Sequence, residues 1–201
     1  MSSSPIEFYF DFSSPYGYFA SARIEEVAMR HGRGVNWHPI LLGAIFRLTN
    51  QQPLAGIPLK GSYSLHDWHR CARLFGLPFQ LPEPFPVAAA APARLCYWAG
   101  QQKSGQCAAL ARSLYRAYFG HNRNISEASV CADIAADLGI PTATALDAMD
   151  DPAWRERLRS SIDAAVERGV FGSPYFIVDG EPFWGADRLD QLDRWLAYGG
   201  W

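Results

Sequence analysis

The stretch FYFDFSSPYGYFA, residues 8–20, decides the fold. Residues 6–12 mix aromatic and β-favouring side chains, the composition of a buried strand. The run stops at Ser13-Ser14-Pro15. Proline suits the first position of a helix, where an N–H would go unused, and serine before it is a favoured N-cap. A strand is therefore predicted to turn directly into a helix that runs through Arg23, Glu25, Glu26 and Arg30 and ends near Gly32 or Gly34. Residues 35–42 (VNWHPILL) read as a second strand. The result is a β-α-β unit with parallel strands and a right-handed crossover. Redox folds often carry Cys-x-x-Cys at such a turn, but positions 14–17 here read Ser-Pro-Tyr-Gly. Any chemistry at the turn must start from a hydroxyl.

Residues 42–61 are loop-rich, interrupted by Pro53, Gly56, Pro58 and Gly61, and residues 62–75 read as a helix. Pro78, Pro82, Pro84 and Pro86 mark an extended crossing segment. Residues 87–168 show no strand pattern. They are alanine-rich with helical periodicity, broken near 120–124 and 139–141, and Ser126-Glu-Ala-Ser129 and Thr144 resemble capped helix starts. The β signal returns at 174–178, followed by an Asp179-Gly180 hairpin turn and a return strand at 181–184. Asp187 is placed to cap a final amphipathic helix carrying Leu189, Leu192, Trp195 and Leu196. β-α-β at one end and β-β-α at the other, around a helical block, predict an α/β, thioredoxin-like fold with a large all-helical insertion. The thioredoxin-like domain is expected from residues 1–76 and 169–201, with the insertion at 77–168.

Composition narrows the function. A chain of 201 residues with 49% hydrophobic content can bury a sizeable core. A net charge of -2 gives no polyanion-binding surface, so nucleic acid is not an expected partner. The longest apolar run, residues 87–93, is broken by Pro92 and too short to span a bilayer, and residues 1–5 have no signal-peptide pattern. Cys71, Cys96, Cys107 and Cys131 lack Cys-x-x-Cys spacing and are expected to be reduced and mostly buried, as in a cytoplasmic protein. His66 and His69 have no third ligand in their motif, and no metal is expected.

Three short segments can carry chemistry. Ser14 at a helix N-terminus lies near unpaired N–H groups and the positive end of the macrodipole, a setting that favours an anion such as an external thiolate. One hydroxyl hydrogen bond to that sulfur would favour its ionised form. Ser173-Pro174, just before the returning strand, is where thioredoxin-like folds hold a cis-proline. The backbone of Ser173 can there offer its N–H and C=O to an extended ligand. Residues 184–188 (WGADR) join the last strand to the last helix, where amides can bind a carboxylate and Asp187 an ammonium. A γ-glutamyl group presents both charges on one carbon.

FYFDFSSPYGYFA, LLGAIFRLTNQQPL and GVFGSPYFIVDGEPFWGADRL together resemble the 2-hydroxychromene-2-carboxylate isomerases and the related kappa-class glutathione transferases, within the disulfide-oxidoreductase branch of the thioredoxin superfamily. The resemblance covers essentially the whole chain. It implies Ser14 as the catalytic serine, with Ser13 ranked second. It implies glutathione as cofactor, held by Ser14, Asn50, the backbone of Ser173, and Trp184, Gly185, Ala186 and Asp187. It also places an acceptor substrate, an aromatic carboxylate or other electrophile, against the 42–63 loop, with Phe46, Arg47, Lys60 and Tyr63 as contacts. The implied activity is glutathione-dependent isomerisation of 2-hydroxychromene-2-carboxylate or a related intermediate of aromatic hydrocarbon catabolism, by a cytoplasmic homodimer. The alternative is a kappa-like transferase that conjugates glutathione to electrophiles. Disulfide exchange is disfavoured by the cysteine-free turn, and a non-enzymatic binding module that keeps the turn as scaffold would not bind glutathione.

Overall fold

Phe8 and Phe10 alternate with Glu7 and Tyr9, so the first strand has two unlike faces. The computed structural model describes residues 4–201 and puts that strand, β1 (Ile6–Phe10), at the centre of a four-stranded sheet. β2 (Val35–Pro39) pairs with it in parallel, Phe8 opposite Trp37. β3 (Tyr175–Val178) pairs with its other edge antiparallel, Phe8 opposite Phe176, and β4 (Glu181–Trp184) closes the order β2-β1-β3-β4. Asp179 and Gly180 both take positive φ, 52° and 89°, as a tight hairpin between twisted strands requires.

The two faces bury different sets. Phe8 stacks on Phe10 and Phe176 and meets Trp37 edge-on, all under α1 (Pro15–Ser21) and α2 (Ile24–Arg30). Tyr9, Tyr175 and Ile177 face the other way, against α3 (Leu42–Thr49) and α9 (Pro152–Glu167). Burial of each such aromatic contributes on the order of 1.5–3 kcal/mol. Buried residues of α4 (Lys60–Phe75), α5 (Ala90–Gln102), α6 (Gln106–Tyr115), α7 (Ala128–Ala136) and α8 (Thr142–Asp150) join the core on the Phe8 side, and α10 (Leu189–Tyr198) is the last helix. A π-helical turn at Arg116–Gly120 follows α6. No helix among the described residues is long and apolar enough to cross a membrane. Thus the fold is thioredoxin-like with a mixed sheet and many helices.

Several local expectations change. The expected single helix from Pro15 breaks into α1 and α2: the Ser21 hydroxyl donates back to Tyr18 O, and Arg23 N reaches Ala20 O in a three-residue step. The second strand stops at Pro39, short of residue 42. Leu42–Thr49 is a helix rather than loop, because the Asp11 carboxylate accepts from Leu42 N and anchors its first turn. α4 starts at Lys60, two residues early. α7 starts at Ala128 and α8 at Thr142, neither with a side-chain cap, and the Ser126 N–H and hydroxyl bond to Asn124 instead. Asp187 caps nothing: residues Ala186–Arg188 form a 3-10 turn, and Asp187 pairs with Arg188 at 3.2 Å.

A polar cluster sits on the Tyr9 face. Glu7 accepts from Asn36 and shares a short hydrogen bond with His38, while Arg168 donates to Tyr9 Oη at 2.7 Å. The His38 hydrogen bond foremost, then Asn36 and Arg168, holds the Glu7 carboxyl below its ordinary 4.5. A depressed carboxyl stabilises the fold above its unfolded value, and that contribution is lost as pH falls through the lower folded value. Melting temperature measured between about pH 5 and 3 should therefore fall less steeply for Glu7→Gln than for the parent. Parallel curves would show that Glu7 does not contribute.

Candidate active site

Ser14 sits at the junction of β1 and α1 with extended backbone, φ −95° and ψ 112°, and is 5% exposed. Its Oγ accepts from Gly17 N at 3.0 Å, the capping bond that the Ser-Pro pair predicts. Its own hydrogen goes to Ser173 O at 2.9 Å, across a separation of 159 residues. The Ser173–Pro174 bond is cis. Ser173 Oγ accepts from Asp11 N at 2.9 Å, so the serine pair stitches the end of β1 to the entry of β3 twice. Among the described residues the Ser173 N–H has no hydrogen-bond partner. The three buried cysteines and half-buried Cys71 are all free thiols.

Asp11 and Tyr115, absent from the sequence-based candidates, hold this turn. Asp11 Oδ1 accepts from Ser13 N at 2.7 Å, and Oδ2 from Leu42 N, so one buried carboxylate fixes both the turn and α3. Burial pushes its pKa up, and the two backbone N–H donors pull it back. Tyr115 Oη donates to Asp11 O at 2.7 Å and lies where a Cβ on Gly17 would come within 2.5 Å of it. That close approach is why a glycine fits at 17. Burial raises the Tyr115 pKa, so its hydroxyl stays a donor. Asp11 had a sequence signal, a lone charge inside an aromatic run; Tyr115 had none.

The turn after β4 lies next to the serine pair. Gly185 N donates to Pro174 O at 3.0 Å, and the Trp184 indole approaches Gly172 so closely that a Cβ there would sit 2.3 Å from Nε1. Trp184 also meets Phe171 edge-on at 4.8 Å. Ser14, Ser173, Trp184, Gly185 and Ala186 are thus brought together, with Asp187 exposed at their edge. Asn50 is the exposed C-cap of α3, in the left-handed conformation (φ 53°) that asparagine tolerates.

A groove of about 450 Å³ opens beside the turn, lined by Tyr16, Leu54, Leu59, Lys60, Tyr63 and Ser64. Lys60 and Tyr63 are both among its lining. Phe46 and Arg47, on α3, are not among its lining. Tyr16, two residues beyond Ser14, was missed. Its hydroxyl donates to Asp67 Oδ2 at 2.6 Å, and burial first, then that bond, raises its pKa. His66 and His69 are exposed, and no group of three His, Cys, Asp or Glu side chains among the described residues is placed to hold a metal.

With this geometry in place, three proteins show what the chain is similar to. A 2-hydroxychromene-2-carboxylate isomerase from Sphingobium xenophagum is 28% identical over 197 residues, covering 95% of this chain and 97% of the relative. A glutathione S-transferase kappa 2 from Caenorhabditis elegans is 27% identical over 205 residues, covering 96% and 91%. A solved structure of 2-hydroxychromene-2-carboxylate isomerase superposes with a TM-score of 0.87 at 28% identity, covering 96% of this chain and 94% of that one. The family model of the DSBA-like thioredoxin domain matches residues 5–197, and the chain belongs to that family.

Proposed function

We propose that the chain is a glutathione-dependent enzyme in which Ser14 stabilises the thiolate of bound glutathione, and that its reaction is isomerisation of a 2-hydroxychromene-2-carboxylate or related conjugated aromatic acid. The observation that carries this reading is the Ser14 hydroxyl, buried against Ser173 at a turn that elsewhere in the fold holds cysteine. The similarity to an isomerase over nearly the whole chain supports it.

The residues present fit glutathione. The unpartnered Ser173 N–H is an open donor, the Ser173 carbonyl a second point for a ligand amide, and the turn at Gly185 and Ala186 lies beside them, tied to Pro174 O through Gly185 N. When bound, glutathione supplies a thiol nucleophile that adds reversibly to the conjugated substrate and is regenerated. Ser14 has one hydrogen to donate, and in the free protein it is spent on Ser173 O. To donate to sulfur, the hydroxyl must rotate about its C–O bond. A buried carbonyl left unpaired costs about 1–3 kcal/mol, which a ligand amide N–H at Ser173 O offsets. Peptide thiols thereby gain over simple thiols. Lys60 supplies a cation at the groove for a substrate carboxylate, while Leu54 and Leu59 cover apolar rings.

A glutathione transferase is the second reading, supported by the kappa-class relative. The two differ in what happens to glutathione. Incubation of the protein with glutathione and a hydroxychromene carboxylate should change the substrate spectrum while total glutathione stays constant. Depletion matched to conjugate formation would replace the isomerase by the transferase, and no heat on titration with glutathione would remove both.

A further inference from the structure

Lys60, Ser64, Asp67 and Cys71 follow one another at i, i+4, i+7 and i+11, so they share one face of α4. Two of them, Lys60 and Ser64, line the groove. Asp67 lies behind the lining, with only 15% of its side chain exposed, and both of its oxygens are committed. Oδ2 accepts from the Tyr16 hydroxyl at 2.6 Å, and Oδ1 from Arg70. The same Arg70 nitrogen donates to Tyr63 Oη at 3.1 Å, and the guanidinium lies 5.8 Å above the Tyr63 ring centroid.

Tyr16 belongs to α1, just past the Ser14 turn, whereas Tyr63 stands on α4 beside Lys60. They are two aromatic walls of the groove carried by different helices. Each is tied to the same carboxylate, Tyr16 directly and Tyr63 through Arg70. Charge-assisted hydrogen bonds of this kind are about twice as strong as neutral ones. The carboxylate also neutralises Arg70, so the guanidinium is a strut and Lys60 remains the cation that lines the groove. The raised pKa of Tyr16 agrees with a hydroxyl that stays protonated as a donor across the working range.

We infer that Asp67 is a positioning residue for the acceptor groove: it sets the spacing of Tyr16 and Tyr63, and so selects a flat apolar anion that fits between them beside Lys60. This rests on reading the groove as the acceptor site, but its test does not need glutathione.

The probe is 8-anilinonaphthalene-1-sulfonate, an aromatic monoanion whose fluorescence reports binding, titrated into the full chain alone. Tyr16→Phe keeps the ring and removes only the hydroxyl, so it is the variant least prone to misfold. Tyr16→Phe and Asp67→Ala should each weaken the probe about 5- to 20-fold, and the double variant should be no weaker than the weaker single, as expected for two residues acting through one contact. Glutathione affinity, measured separately by calorimetry, should stay within about twofold in Tyr16→Phe, a split that a general loss of structure would not produce. The inference is overturned if the parent does not bind the probe, if Tyr16→Phe binds it unchanged, or if the double variant loses the product of the two singles. A parent that binds the probe but not glutathione would end the proposed reaction and leave Asp67's role intact.

Discussion

Replacing Ser14 with alanine is expected to raise the thiol pKa of bound glutathione by about one to two units and to cut turnover near neutrality by roughly 10- to 100-fold. The size follows from one charge-assisted hydrogen bond, worth about 1.5–3 kcal/mol, at about 1.4 kcal/mol per pKa unit. Because Ser14 also caps α1 through Gly17 N, alanine removes a structural bond at the same time, at about 0.5–2 kcal/mol. Glycine separates the two roles. It costs an N-cap only a few tenths of a kcal/mol, so Ser14→Gly, which leaves Ser173 O unpaired just as alanine does, should melt above Ser14→Ala and still lose the pKa shift. Thiolate absorbance of the bound complex, titrated against pH, gives the pKa directly. An unchanged pKa in both variants would take the thiolate role away from Ser14.

The second large effect is expected at Gly185. Its backbone, φ 112° and ψ 149°, falls in a region that is essentially glycine's alone, and a Cβ would stand 2.4 Å from Asp187 Oδ1. Gly185→Ala must therefore shift the 3-10 turn at Ala186–Arg188 or loosen the Gly185 N to Pro174 O bond. Strain of about 1–3 kcal/mol, if it appears in binding, weakens glutathione by roughly 5- to 150-fold. The thiol pKa at saturation should stay near the parent value, since Ser14 is untouched. Calorimetry reads the affinity, and undiminished binding would show that residues 184–187 do not hold the γ-glutamyl group.

The parts of this molecule that are legible in sequence are those whose causes are local. The strand into Ser14-Pro15, the Asp179-Gly180 hairpin and the final amphipathic helix each rest on residues within a few positions of one another. Leu42–Thr49 is not legible as a helix, because its first turn is anchored by Asp11, 31 residues upstream. Lys60 and Tyr63 were legible through resemblance alone. The residues that hold the site together were not: Tyr16 meets Asp67 across 51 positions, and Tyr115 meets Asp11 across 104. Pairings of that range leave no periodic trace in a single sequence.

The bond between Ser14 and Ser173 also has a consequence in time. During synthesis Ser14 leaves the ribosome with the first strand, and its partner follows 159 residues later, at about 5–20 residues per second. β1 can pair with β2 early, yet its other edge waits for β3. A nascent chain lacking β3 holds an incomplete sheet and an unpaired Ser14, with one edge of β1 open to wrong partners. The serine pair is therefore a property of the β3 entry as much as of the first strand, and a ribosome-bound chain gains it only once residues 173–178 have emerged.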